Sequence, residues 1–193
     1  MELHRLGIKV AAEGADALPS DQFIPLFHRW IQQQTLDELL IDVADYGHVH
    51  HGPGVLLVAH EGIYAFDESG GRHGLVYYAR RTLPGDLEAR LRLICRRVLN
   101  AARLVEEEAG FKGKLSFNGA DLEIFANDRL AAPNTEATLA AVRPAIDALL
   151  AKLHPGAKFD LAREPDPRER FSVRVKISAN VPVSELLQRL EGK

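Results

Sequence analysis

Residues 39–80 read LLIDVADYGHVHHGPGVLLVAHEGIYAFDESGGRHGLVYYAR, and this stretch decides the fold class. Its first part alternates, with Leu39, Ile41 and Val43 on one side and Asp42 on the other, as a strand requires. Residues 55–60 are a dense run of β-branched and aliphatic side chains. Residues 63–67 and 75–80 repeat the strand pattern, joined by Ser69-Gly70-Gly71, whose glycines tolerate positive φ. Four short strands with turn signals between them form an antiparallel meander.

Working outward, residues 3–11 read as another strand, with Leu6, Ile8 and Val10 on one face. Phe23, Ile24, Phe27, Trp30 and Ile31 recur at helical spacing. That helix starts either with Ser20 as its cap or near Ile24 with Pro25 in the first position. On the other side, Asp86 precedes a stripe of Leu87, Leu91, Ile94, Cys95, Val98, Ala102 and Val105, which predicts a long helix over 87–108. Residues 115–117 and 121–126 flank Asn118-Gly119, the pair suited to a type I′ turn, so a hairpin is expected there. A further helix is capped by Asn134 or Thr135, and Pro144 inside it predicts a kink or break. Residues 158–163 and 171–178 form a last hairpin, and 183–190 a short terminal helix. The sum is an α+β fold: a predominantly antiparallel sheet of eight to ten strands with helices packed on it. Residues 1–60 and 120–179 share the order strand, helix, strand, strand, which admits an internal duplication.

The chain has 193 residues, 24 basic and 27 acidic side chains and a net charge of −3, which suits one domain with its own core. No apolar run is long enough for a membrane span, and the N-terminus shows no signal-peptide pattern. Cys95 is the only cysteine, so an intrachain disulfide and a Cys-based zinc site are excluded, as suits a cytoplasmic protein. The slightly acidic balance gives no general attraction to nucleic acid or anionic lipid.

Three stretches carry a resemblance: FIPLFHRWIQ at 23–32, LLIDVADYGHV at 39–49 and NDRLAAPNT at 127–135. Together they resemble a family of uncharacterised bacterial proteins of about this length. The resemblance implies no activity, cofactor or site residue.

The densest chemistry lies in Asp45, His48, His50 and His51, three imidazoles beside a carboxylate. Such ligands suit a divalent transition metal such as zinc, iron or nickel. The plainer reading is an exposed polar turn. Asp42 and His60 are candidates for a cross-strand base and its orienting carboxylate, or for an ordinary surface hydrogen bond. Cys95 falls on an apolar helix stripe, which favours a structural thiol over a nucleophile. Arg80, Arg81, Arg90, Arg92, Arg96, Arg97 and Arg103 form a basic neighbourhood, but glutamates flank it, and an ion-paired helix face is the default. Asn127-Asp128-Arg129, at a strand end, either lines a site or satisfies its own loop. Gly52-Pro53-Gly54 lacks the lysine and helix of a phosphate loop. The expected function is a non-catalytic binding or assembly module, homodimeric, with a metal-dependent enzyme built on the Asp/His loop as the alternative.

Overall fold

In the computed structural model, which describes residues 3–14, 18–49 and 52–192, strand β1 (Leu6–Glu13) leads into helix α1 (Phe23–Gln33). The meander follows as β2 (Leu40–Asp45), β3 (Val55–Ala59), β4 (Gly62–Asp67) and β5 (Gly74–Ala79). Then come α2 (Leu87–Glu107), β6 (Ser116–Ala126), α3 (Glu136–Leu153), the hairpin β7 (Phe159–Arg163) and β8 (Ser172–Ile177), and α4 (Val183–Glu191). All eight strands join one sheet in the order β2-β3-β4-β5-β1-β6-β8-β7, and every neighbouring pair is antiparallel. The fold is α+β, as the alternation predicts. No helix of the described residues is long and apolar enough to cross a membrane.

The helix ends follow local chemistry. The Asp86 carboxylate accepts the Ala89 N–H at 2.8 Å and starts α2. Thr135, not Asn134, caps α3, accepting the Thr138 N–H at 3.2 Å. Asn134 is buried instead and donates to the carbonyls of Glu164 and Asp166. A 3₁₀ turn over Ser20–Gln22 precedes α1, and Ser20 makes no capping bond. Pro25 is the third residue of α1, where an N–H has no helical acceptor to lose. Of the kink or break expected at Pro144, the break does not occur: α3 is helical on both sides of it. Pro144 and Ala140 both lie on the exposed side of the helix, so water can satisfy the carbonyl that lost its donor.

One face of the sheet carries the main core. The cross-strand row Val43, Leu57, Tyr64, Tyr77, Ile8, Ile124 and Val173 meets Leu26, Phe27, Ile94, Val98, Ile146 and Leu186 of the helices in a single cluster. Phe23 anchors it, stacked on Phe66 with ring centroids 4.1 Å apart and tilted against Phe111 at 4.7 Å. The neighbouring row points the other way, free of helices. It reads Ala44, Leu56, Ala65, Val76, Lys9, Glu123, Arg174 and Ala162, apolar from β2 to β5 and charged across β1, β6 and β8.

Two expectations fail in detail. Asn118 and Gly119 make no hairpin: both lie inside the single strand β6. The β1–β6 register jumps from Val10 opposite Leu122 to Ala11 opposite Asn118, so 119–121 bulge out of the ladder. Gly119 keeps a negative φ and is needed for closeness, since a Cβ there would stand 2.4 Å from Leu186 Cδ1 and 2.6 Å from the Val181 carbonyl oxygen. In β2, a register shift between Leu40 and Asp42 turns Ile41 outward while Leu40 enters the core. The two strand-helix-strand-strand segments also differ in pairing. β6 pairs with β8, whereas β4 and β5 separate β1 from β3.

Candidate ligand-binding groove

The helix-free face holds a groove of about 820 Å³ that runs from the β4–β5 turn to the β7–β8 loop. Its apolar floor is built by alternation: Ala65, Val76, Tyr78 and Phe125 project from β4, β5 and β6 to the side opposite the core. Phe125 is fully covered and lies over Gly7, where a Cβ would stand 2.3 Å from its ring. Glycine at that central position therefore lets an aromatic ring rest on the backbone. Burial pushes the Tyr78 phenol above its ordinary pKa, although Arg80 and Arg170 pull it down.

Charged side chains cross this face in pairs. Lys9 Nζ donates to Asp67 at 2.7 Å, and both side chains are nearly buried. Gly74 makes room, because a Cβ there would lie 2.8 Å from Lys9 Cε. Burial alone would raise the Asp67 pKa, but Lys9 and Ser69 outweigh it and hold the carboxyl below its ordinary value. Glu123 accepts from Arg72 of the β4–β5 turn and from Arg170 of the β7–β8 loop. The Arg170 guanidinium lies 3.7 Å from the centroid of the Phe125 ring. Beyond the groove, Asp121 accepts from Arg174 and Lys176, which hold its pKa down against burial.

A second polar cluster lies on the helix side. Arg97 donates to Tyr77 and Glu61 and lies 3.9 Å from Glu38. The Glu38 carboxylate accepts the Glu61 N–H, and burial pushes Tyr64 and Tyr77 up out of their ordinary titration range. Arg97 belongs to this internal network rather than to an outer basic face.

The residues singled out in the sequence are dispersed. Asp45 is exposed and accepts the Gly47 N–H at 2.8 Å, while His48 is exposed with its ring stacked near Tyr46. His50 and His51 lie outside the described residues. No group of three His, Cys, Asp or Glu able to hold a metal ion occurs among the described residues. Asp42 accepts the N–H of its own neighbour Val43, and in register it faces Val58, two residues before His60. Cys95 is buried, and its thiol is pushed up to about 12. Arg92, Arg96 and Arg103 pair with Glu88, Asp37 and Glu107, as the ion-paired reading expects. Asn127 and Arg129 do line the groove, whereas Asp128 accepts the Ala131 N–H within its own loop.

Sequence reasoning missed Lys9, Asp67, Arg72, Glu123 and Arg170. One signal was available: Lys9, Glu123 and Arg174 each interrupt an apolar strand at the alternate position, which marks a face not covered by helices. Comparison of the chain with protein-family models, with curated proteins and with solved structures finds no match.

Proposed function

We propose that this protein is a non-catalytic binding module whose ligand surface is the helix-free face of the sheet. One observation carries the reading: an apolar floor and a set of ordered charged side chains meet in a groove of about 820 Å³. That size lies within the range of small-molecule sites. The charged groups favour binding over catalysis because they engage one another, Glu123 with Arg72 and Arg170, and Asp67 with Lys9 and Ser69. A cytoplasmic setting is part of the proposal and rests on the lone buried thiol. The test is an amide chemical-shift titration of the whole chain with a mixed set of neutral, cationic and anionic aromatic fragments. Tyr78, Phe125 and Arg170 should be among the residues that move. Fragments that leave all groove amides unmoved defeat the reading.

Homodimerisation is a second reading, favoured by where apolar surface is exposed. Leu39, Ile41, Tyr46 and Val49, four of the five exposed large hydrophobic side chains among the described residues, lie on or beside edge strand β2. Asp42 occupies the Val43 N–H, so we propose side-chain contact between copies rather than added strand pairing. Light scattering should give the dimer mass toward millimolar concentration, and Ile41→Lys should restore the monomer. Monomer mass throughout removes the reading.

A further inference from the structure

The geometry points to a specific ligand class for the groove: a flat, apolar molecule bearing one carboxylate. This inference rests on the groove being the ligand site. The floor supplies the first half of the match. Tyr78, half-buried on β5, presents its ring to the groove and offers a surface on which a planar body can lie, while Phe125, its ring 6.4 Å away, lies covered beneath the Arg170 guanidinium.

The second half is a pair of arginines at the β7–β8 end. Stacking on Phe125 fixes the Arg170 guanidinium, so its N–H groups are placed before any ligand arrives. Its present bonds are long, 3.2 Å to Asn127 Oδ1 and 3.4 Å to Glu123 Oε1. Charge-assisted bonds run at about 2.7–2.9 Å, so a ligand carboxylate can offer this fork a better partner than it now has. Arg129 lines the same groove, is exposed, and has no hydrogen-bond or ion-pair partner among the described residues. Glu123 meanwhile remains held by Arg72 when Arg170 turns to a ligand.

The acidic lining limits the ligand's charge. Asp67 and Glu123 are neutralised internally, but Glu164 and Glu169 also line the groove. They repel a polyanion such as nucleic acid, whereas a single carboxylate is matched by Arg129 and Arg170 of the same lining.

The probes are 2-naphthoate and 2-naphthamide, equal in shape and different in charge, titrated into the isotope-labelled full chain. Naphthoate should shift Tyr78, Phe125 and Arg170 and bind at least about ten-fold more tightly than the amide, a difference of about 1.4 kcal/mol. Combining Arg129→Gln with Arg170→Gln should bring naphthoate down to the affinity of the amide. If that variant fails to fold, the naphthoate-to-naphthamide ratio in the parent still decides. Equal affinities in the parent overturn the carboxylate assignment while leaving the groove a ligand site. Groove shifts from neutral or cationic fragments, with none from naphthoate, overturn it likewise. Only the silence of every fragment overturns both readings.

Discussion

At the residue scale, buried polar groups divide into those with partners of opposite charge and those without. Lys9 and Asp67 satisfy each other, and removing either would leave a buried charge alone. His154 is different. It is 3% exposed, its Nε2 lies 3.1 Å from the Gly119 carbonyl oxygen, and its Nδ1 has no partner among the described residues. A carbonyl only accepts, so the ring carries its proton on Nε2. A second proton would have to sit on Nδ1 in the interior. Burial, with a smaller contribution from Arg189, therefore lowers the His154 pKa, and the bond to Gly119 only partly opposes this. The folded value lies below the unfolded one, so the unfolded chain binds the proton first as pH falls. Above the unfolded value, about 6.5, the ring is neutral in both states and costs nothing. As pH drops through 6.5 toward the folded value, stability is lost, at no more than about 1.4 kcal/mol per pH unit for one proton. Urea unfolding at pH 7.5 and at pH 5.5 should show this loss. His154→Gln keeps an N–H for Gly119 and should flatten the difference. An unchanged difference in that variant would place the titration elsewhere.

At the element scale, what was legible depended on whether the signal was local. The meander over 39–80 could be read because alternation and the Ser69-Gly70-Gly71 turn both lie in the segment itself. α2 was equally plain, from its Asp86 cap to its apolar stripe. Asn118-Gly119 misled because its local preference was overruled by distant contacts. The Asn118 side chain bridges Glu13 and the Ala120 N–H, while Gly119 admits Leu186 of α4 and receives His154, the residue that follows α3. Nothing within a few residues of the pair announces these partners, which lie up to 105 positions away. The Ile41 bulge is of the same kind, since the shift between Leu40 and Asp42 lies in the pairing with β3 and the alternation of 39–46 alone does not announce it. The groove was hidden for a further reason. Lys9 and Asp67 are 58 positions apart, and Arg72 and Glu123 are 51 apart, so only the order of strands brings them together. Single charged residues in apolar strands mark the open face, but they do not name their partners.

At the scale of the whole molecule, the question is whether the sheet behaves as one unit or as two wings. β2 to β5 with α1 form one wing, β6 to β8 with α3 and α4 the other, and β1 stands between them. A chain of 193 residues is long enough for wings to unfold separately. Three features oppose that. β1 ladders with β5 on one side and with β6 along almost its whole length on the other. α2 packs on β1 and β5 while also touching α3 and α4, so it spans the seam. The buried apolar residues that face the helices belong to one cluster spanning both wings. A single transition is therefore expected. The chain supplies its own reporter, because its one tryptophan, Trp30, is buried in the first wing. Val173 is fully buried on β8, in the second wing. Val173→Ala removes two methyl groups' worth of core at a cost of about 2 kcal/mol. In a chain of this size that lowers Tm by about 4–8 °C. The drop should be the same in Trp30 fluorescence as in far-ultraviolet circular dichroism, although the substitution and the reporter lie in different wings. A variant whose circular dichroism midpoint falls while its Trp30 midpoint stays in place would show that the wings unfold apart, with the β1–β6 ladder as the line along which they separate.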